Sequence, residues 1–482
     1  MDEHNPLFLI DFYKVGHVQQ YPEGVETIWV NWTPRYTHTD NDAMVHFGLH
    51  YFTQKYLIEG FNRYFFWKPW AEIERDYTDL IRSTLGVQNP KVDHIRMLHG
   101  YGRLPIDIWS LPEGTLVPLG VPAIVINNTD PAMFWLPNYL ETMLSNVLWK
   151  PSTSATTARS FRKLFTHWAK KFGHTDLGFI DWQGHDFSFR GMSGVEDACL
   201  SGMGHLTSFS GTDTIPAIIA ARNYYGAELT CGGSVPATEH SVMCAGGKAN
   251  EFETFKRLIT EVYPTGIVSI VSDTWDLWKV LTDYVPRLKD TILKRDGKVV
   301  IRPDSGDPVK IMVGDPDSTF GPERAGTLRL LADTMGVSEN GIINKMAAIY
   351  GDGISLDRAN RILSGCVETH HLSPFNCVFG IGSYTYQFVT RDTYGLAMKA
   401  TAVERHGKVI PIFKDPKTDD GGKKSLCGIP IVCRNDATDL FVTESTNPMD
   451  LDYCEFNLVM SDGHLIQTTT LDEVRARIRG GM

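Results

Sequence analysis

Gly266-Ile267-Val268-Ser269-Ile270-Val271-Ser272-Asp273 is the stretch that decides the fold. It is a short apolar run, rich in β-branched residues, that stops at a carboxylate. Helical apolar spacing follows it over 275–284. Such a run, bounded by polar turn residues, reads as a strand buried on both faces of a sheet. The same unit recurs on either side. Upstream, 206–213 precedes a helical stretch at 215–225. Downstream, Lys298-Val299-Val300-Ile301-Arg302-Pro303-Asp304 leads through a Gly/Asp/Pro-rich loop to a helix over 323–335. Met346-Ala347-Ala348-Ile349-Tyr350-Gly351-Asp352 precedes a helix over 356–367, and Cys377-Val378-Phe379-Gly380-Ile381-Gly382 closes the series. Buried-type strands alternating with helices mark a parallel α/β sheet.

Four of these units end in aspartate: Asp213, Asp273, Asp304 and Asp352. One aspartate after a strand is an ordinary helix N-cap. Four, with Arg302 beside one of them, point to an acidic mouth for a metal–phosphate ligand, because functional groups in such folds gather at the carboxyl ends of the strands. Between the Asp213 and Asp273 units lies Ser234-Val235-Pro236-Ala237-Thr238-Glu239-His240-Ser241. An imidazole among small polar residues at that place is the natural carrier of a proton or a phosphoryl group near neutral pH.

The flanks read differently. Thr27 to Trp32 alternates like a half-buried strand, 45–66 has helical spacing, and 103–129 reads as short strands about Pro112-Glu113-Gly114. An amphipathic helix is expected over 154–172, with Arg159, Arg162 and Lys163 on its polar side. After Gly395 strands return at 396–403 and 409–413. The expected fold is therefore α/β: a parallel sheet with helices over 151–392, open or closed into a barrel, with a second, β-rich α+β domain built from both chain ends, 1–150 and 393–482.

At 482 residues the chain is long enough for two domains. Its 42% hydrophobic and 21% charged residues are ordinary for a soluble globular protein. No apolar run is long enough to cross a bilayer, and the first residues lack the character of a signal peptide. Eight cysteines without a Cys-x-x-Cys pair suggest reduced thiols in a cytoplasmic protein. A net charge of −11 argues against a nucleic-acid binder while leaving room for small phosphorylated ligands.

In order along the chain, Asp11-Phe12-Tyr13-Lys14, His185-Asp186-Phe187-Ser188-Phe189-Arg190-Gly191, Gly211-Thr212-Asp213-Thr214, Ser234 through Ser241, Val271-Ser272-Asp273, Ile301 through Gly306, Gly351-Asp352-Gly353 and Thr390-Arg391-Asp392 resemble the nicotinamide phosphoribosyltransferase family. The resemblance covers nearly the whole chain and implies the type II phosphoribosyltransferase fold, in which the sheet over 151–392 is an irregular parallel β/α barrel. It also implies a reaction: nicotinamide and phosphoribosyl pyrophosphate give nicotinamide mononucleotide and pyrophosphate, in salvage toward NAD. Mg2+ and ATP as co-substrate come with it, the ATP hydrolysed through a phosphohistidine that matches His240, with Asp273 orienting the imidazole. Phe187 and Tyr13 match the two sides of a stacking sandwich for the pyridine ring, Tyr13 coming from a second subunit of a homodimer with shared active sites. Arg190 sits close to the ring and its amide in that match, and Ser234 and Ser269 join the substrate-binding set.

Residue chemistry supplies the other roles. Arg302 and Arg391 suit phosphates, since a guanidinium binds phosphate in a bidentate fork. Asp304 and Asp352 suit ribose hydroxyls or Mg2+–pyrophosphate, with the division between them open. Gly351, Gly353, Gly380 and Gly382, with Ser383, would let backbone N–H groups approach phosphate oxygens. Asp213 can accept from the –NH₂ of a carboxamide and would repel the carboxylate of nicotinate, which favours nicotinamide as substrate.

Where animal members carry a glycine-rich phosphate loop, this chain has Gly380-Ile381-Gly382-Ser383-Tyr384. The loop at 306–324 has no assigned role, and Lys414, Lys423 and Lys424 are candidates for reaching a phosphate. Nicotinate phosphoribosyltransferase is the alternative within the same chemistry. A barrel hydrolase using paired carboxylates leaves the arginines and the aromatic pair unexplained. A mononucleotide sensor has no need of a phosphorylatable histidine.

Overall fold

The computed structural model describes residues 2–416, 418, 425–437 and 439–481. They form two compact units: 2–156, 220–227 and 389–481 make the first, and 157–219 with 228–388 the second. The expected boundaries at 150 and 392 thus move to 156 and 388. The end of the helix Ile215–Tyr225, expected inside the barrel, belongs to the first unit.

The second unit is built on a six-stranded, wholly parallel sheet. Its spatial order is Gly211–Thr212, Gly184–Asp186, Cys377–Ile381, Met346–Tyr350, Gly297–Arg302, Gly266–Val271. An irregular segment bridges the two edges. Thr212 N donates to Gly233 O at 2.9 Å and Gly233 N to Ser210 O at 2.8 Å. On the far edge Ser269 N donates to Pro236 O at 2.9 Å and Thr238 N to Ser269 O at 3.0 Å. The stretch leading into His240 is therefore what closes the barrel.

Burial explains why these strands read as nearly continuous apolar runs. Val268, Ile270, Val299 and Ile301 pack outward into a large core with helix residues such as Phe161, Leu281, Leu331 and Ile362. Val300, Ala347 and Ile349 point the other way, to Phe187 and Val378 inside the barrel. Each fully buried aliphatic side chain contributes about 1.5–3 kcal/mol. The helix expected over 154–172 is the latter part of Glu141–Phe172. Its polar side differs from expectation: Arg159 and Arg162 are buried and only Lys163 is exposed. Arg162 Nη1 donates to Asp181 Oδ1 at 2.6 Å and Ser208 O at 2.5 Å, so a buried charge is paired as it must be.

The first unit carries a seven-stranded antiparallel sheet drawn from both chain ends. Its order is Lys408–Pro411, Ala397–Arg405, Val25–Thr33, Ile124–Asn128, Ile106–Ser110, Asn457–Ser461, His464–Leu465. The β-rich domain of two chain ends is present as expected. The helical spacing at 45–66 resolves into a strand, Ala43–Val45, and successive helical turns from Leu49 to Phe66.

Candidate active site

The carboxyl ends of the parallel strands converge on one cavity of about 760 Å³ in the second unit. Five of the six strands deliver residues there from their last position or the turn just beyond. Gly297–Arg302 brings Arg302 and Asp304, Met346–Tyr350 brings Gly351, Asp352 and Gly353, and Cys377–Ile381 brings Gly382 and Ser383. Gly184–Asp186 brings Phe187 and Arg190, and Gly211–Thr212 brings Asp213. His240, the first residue of the helix His240–Ala245, completes the wall.

The His240 side chain is half exposed. Its Nε2 faces two carboxylates, Asp304 Oδ2 at 3.9 Å and Asp273 Oδ1 at 4.0 Å. Its hydrogen bond is made elsewhere, between Nδ1 and Thr274 Oγ1 at 3.3 Å. The orienting role that the resemblance gives Asp273 is therefore corrected in detail. Asp273 stands at ion-pair distance, and its Oδ2 accepts from Asp304 N at 2.9 Å and Ser305 Oγ at 2.6 Å, fixing the next strand's turn. Its Oδ1 is buried and has no hydrogen-bond partner among the described residues. A buried carboxylate oxygen without a hydrogen-bond partner, 4.0 Å from His240 Nε2, favours a charged group beside it.

Arg302 joins two spaces. Its Nη2 donates to Thr238 O at 2.7 Å, while its Nε, also buried, has no partner among the described residues. Burial pulls its pKa down, against the charges of Asp304, Asp213 and Asp273. A second cavity of about 400 Å³ lies inside the barrel, where Ser234, Ser269 and Lys298 share its wall with Val300 and Ile349. Phe187, Asp213 and Arg302 line both cavities and form the throat between them. His185, on the inner wall, is pushed down to about 4 by burial, so its ring is neutral at pH 7.

Tyr13 and Arg391 belong to the first unit. Tyr13 is exposed, its ring 5.2 Å from that of His17, and Arg391 pairs with Asp392 at 3.4 Å. Lys414 is exposed in that unit, and Lys423 and Lys424 lie outside the described residues. Thr274, the hydrogen-bond partner of His240, is the site neighbour that sequence reasoning missed; its only signal was its place after Asp273. In the unassigned loop, Asp307 caps the helix Pro308–Val313, and Asp315 N donates to Glu323 O at 2.9 Å.

Among the described residues no group of three or more His, Cys, Asp or Glu side chains is arranged to hold a metal ion, and no helix is long and apolar enough to cross a membrane. Mg2+ keeps several waters and is commonly bound through one or two carboxylates plus substrate phosphates. Asp304 and Asp352, on one cavity wall, fit an ion that arrives on a phosphate ligand.

Residues 182–446 match the Nicotinate phosphoribosyltransferase (NAPRTase) family, and 5–62 match the Nicotinamide phosphoribosyltransferase N-terminal domain. The chain is 47% identical to a nicotinamide phosphoribosyltransferase of Acinetobacter baylyi, over 98% of this chain and 97% of that one. It is 32% identical to a nicotinamide phosphoribosyltransferase of Xanthomonas campestris, over 98% and 97%. Among solved structures, a nicotinate-nucleotide pyrophosphorylase of Pyrococcus furiosus shares the fold. Its TM-score is 0.62 at 13% identity, covering 100% of this chain and 96% of that one.

Proposed function

The chain belongs to the nicotinate phosphoribosyltransferase (NAPRTase) family, and we propose that its cavity performs the reaction its full-length relatives are named for: nicotinamide and phosphoribosyl pyrophosphate give nicotinamide mononucleotide and pyrophosphate, in salvage toward NAD. The observation that carries this is the throat. Phe187, Asp213 and Arg302, an aromatic face, an amide acceptor and a phosphate fork, are the residues shared by the polar outer cavity and the apolar inner one.

The pyridine ring stacks on Phe187, with Arg190 close by, while Asp213 accepts from the carboxamide –NH₂. The ring nitrogen's lone pair forms the bond to the anomeric carbon. The bond from that carbon to the pyrophosphate oxygen breaks, and pyrophosphate leaves with its electron pair. Positive charge grows on the sugar as negative charge grows on the leaving group, so the site needs carboxylates near one and cations near the other. Asp304 and Asp352 face the ribose and the leaving group. Arg302 holds phosphate, Arg391 keeps the phosphate role of the resemblance, and backbone N–H groups about Gly351, Gly382 and Ser383 add to it. Mg2+ bound to pyrophosphate would neutralise its charge, with Asp304 and Asp352 as its protein ligands.

ATP drives the reaction through His240. Its Nε2, on the side of Asp273 and Asp304, attacks the γ-phosphorus; the bond to the β-phosphate oxygen breaks and ADP leaves. Hydrolysis of the phosphohistidine returns the imidazole. The Thr274 bond at Nδ1 supports this assignment, because it fixes the other nitrogen and leaves Nε2 toward the cavity.

The enzyme works as a homodimer that shares its sites. Support comes from exposed apolar side chains of the second unit, Ile215, Ile219 and Val195, which are 66%, 51% and 67% exposed in the single chain. The free cysteines support a cytoplasmic setting. The test is turnover of nicotinamide and nicotinate, each with phosphoribosyl pyrophosphate and Mg2+, with and without ATP. Faster turnover of nicotinate overturns the role of Asp213 and favours the nicotinate enzyme.

A further inference from the structure

Gly380 stands next to last in the strand Cys377–Ile381, in register with His185 on the neighbouring strand. It does not have a positive φ, so its backbone would accept any residue. Nor is it among the residues lining the outer cavity. What demands glycine there is the ring of Phe187. A Cβ on Gly380 would lie 2.2 Å from Phe187 Cδ2 and 2.5 Å from Cε2. A Cβ on Gly351, at the end of the adjacent strand, would lie 3.0 Å from the same two atoms. One edge of the ring therefore rests on bare backbone.

The ring has little freedom to retreat. Phe187 N donates to Ile381 O at 3.0 Å, and the following Ser188 is held by Asp186 Oδ1 through its N–H at 2.9 Å and its Oγ at 2.6 Å. With the backbone pinned on both sides, anything added beneath the ring drives it up into the throat.

We propose that Gly380, with Gly351, is a positioning residue for the pyridine base: a side-chain-free shelf that sets the depth at which Phe187 lies and hence the width of the slot. This replaces the phosphate-binding role that sequence reading gave Gly380. It rests on the reading of Phe187 as the stacking face.

The test is Gly380→Ala, with KM for nicotinamide and for phosphoribosyl pyrophosphate measured separately, alone and in a Phe187→Ala background. A displacement of about 1 Å in a positioned group costs on the order of a hundredfold at worst. The expected result is a rise of about tenfold to a hundredfold in the nicotinamide KM, with the other KM within about twofold. In the Phe187→Ala background the shelf variant should add less than about twofold, because the ring it acts through is gone. A folded Gly380→Ala protein with unchanged nicotinamide KM overturns the proposal. So does an equal loss for both substrates, or a loss undiminished without the ring. If Phe187→Ala itself leaves the nicotinamide KM unchanged, the stacking reading falls and takes the shelf with it, a result separable from failure of the shelf alone. A Cβ on Gly380 also comes within 2.8 Å of Gly351 Cα, so that variant can fail to fold. Gly351→Ala, whose added carbon intrudes by only a few tenths of an ångström on the ring, then serves in the same cycle. Gly351 also lines the phosphate side of the cavity, so only its nicotinamide KM is read: a rise of about threefold that disappears in the Phe187→Ala background is expected, and an unchanged value, or a rise undiminished without the ring, overturns the proposal.

Discussion

Arg302 Nη2 donates to the carbonyl oxygen of Thr238 at 2.7 Å, two residues ahead of His240. Thr238 is fixed again by its Oγ1, which accepts from Val271 N at 2.9 Å. One guanidinium thus anchors the segment that closes the barrel while a face of it stays open to the throat. A lysine at that position could satisfy the carbonyl or a phosphate, but not both in a planar fork. Arg302→Lys should therefore lower kcat/KM for phosphoribosyl pyrophosphate by about a hundredfold, about 2.7 kcal/mol of transition-state stabilisation. Steady-state kinetics check this, and a loss under about threefold would show that the fork is not used.

The proposed function gives His240 phosphoryl transfer and no part in the ribosyl step. His240→Ala should abolish ATP hydrolysis and ATP stimulation yet leave slow, ATP-independent formation of the mononucleotide. Thr274 acts through the imidazole. A hydrogen bond of this kind is worth about 1 kcal/mol net, so Thr274→Val should slow ATP hydrolysis about fivefold and Thr274→Ser should restore it. ADP release and product formation, assayed together, separate the two activities. Loss of all transfer in His240→Ala would place the histidine in the ribosyl step.

Much of this arrangement was legible in the sequence because its signals are local. Apolar runs such as 266–271 and 298–301 have the composition of doubly buried strands, and the aspartates and Arg302 fall just beyond or at their ends. The strand Gly184–Asp186 was not legible as a strand, since three residues containing a glycine and a charge carry no periodicity. Barrel closure by 233–238 was hidden for a related reason: it consists of backbone bonds from a Pro-containing stretch to two distant edges. Arg159 and Arg162 looked like a solvated face because helical spacing cannot reveal a buried partner such as Asp181. Gly380 looked like a phosphate-loop glycine because sequence shows that a side chain is missing, not what occupies its place.

Asp213 offers a direct test of base selection. Asp213→Asn keeps an oxygen that can accept from the carboxamide and removes the charge that repels a carboxylate. The ratio of kcat/KM for nicotinamide over nicotinate should fall by about tenfold to a hundredfold, mainly through a gain on nicotinate. Parallel assays with the two bases read it. An unchanged ratio would put base selection elsewhere in the throat.

If Tyr13 completes the stacking sandwich from a second subunit, mixing two impaired proteins should restore activity. Tyr13→Ala and Phe187→Ala homodimers should each bind nicotinamide weakly, stacking being worth about 0.5–1.5 kcal/mol beyond the area it buries. After subunit exchange, half of the sites in each heterodimer carry both rings. Activity should recover toward one intact site per dimer, with exchange verified by differential tags. Confirmed exchange with no recovery would show that the two rings do not share a site across subunits.

The first unit holds a buried ion pair whose pH response can be derived. His50 Nδ1 donates to Glu113 Oε1 at 2.7 Å and Nε2 to Gln467 O at 3.0 Å; both partners only accept, so the ring carries two protons. Burial lowers the His50 pKa, but the hydrogen bond and charge of Glu113 outweigh it and the value is raised. Burial likewise works against the Glu113 carboxylate, yet His50 holds it down at about 2, and Gly48 N and Tyr225 Oη also donate to it. A base whose folded pKa exceeds its unfolded value contributes fully below that unfolded value and loses the contribution as pH rises through the folded one. The neighbouring His46 has the opposite sign, pushed to about 4 by burial, so its cost appears as pH falls from 6.5 toward 4. Glu113→Gln leaves an uncompensated buried imidazolium or forces it neutral, and should destabilise the unit by about 3 kcal/mol near pH 6. Without Glu113, burial alone acts on His50 and lowers its pKa, so the gap in melting temperature between wild type and Glu113→Gln should be widest at the acid end of the range and shrink as pH rises through the raised wild-type His50 value. His46 is common to both proteins, so its acid limb should persist in the variant. Thermal melts from pH 5 to 9 measure both limbs, and a gap independent of pH would mean that His50 stays neutral and the pair is only a hydrogen bond.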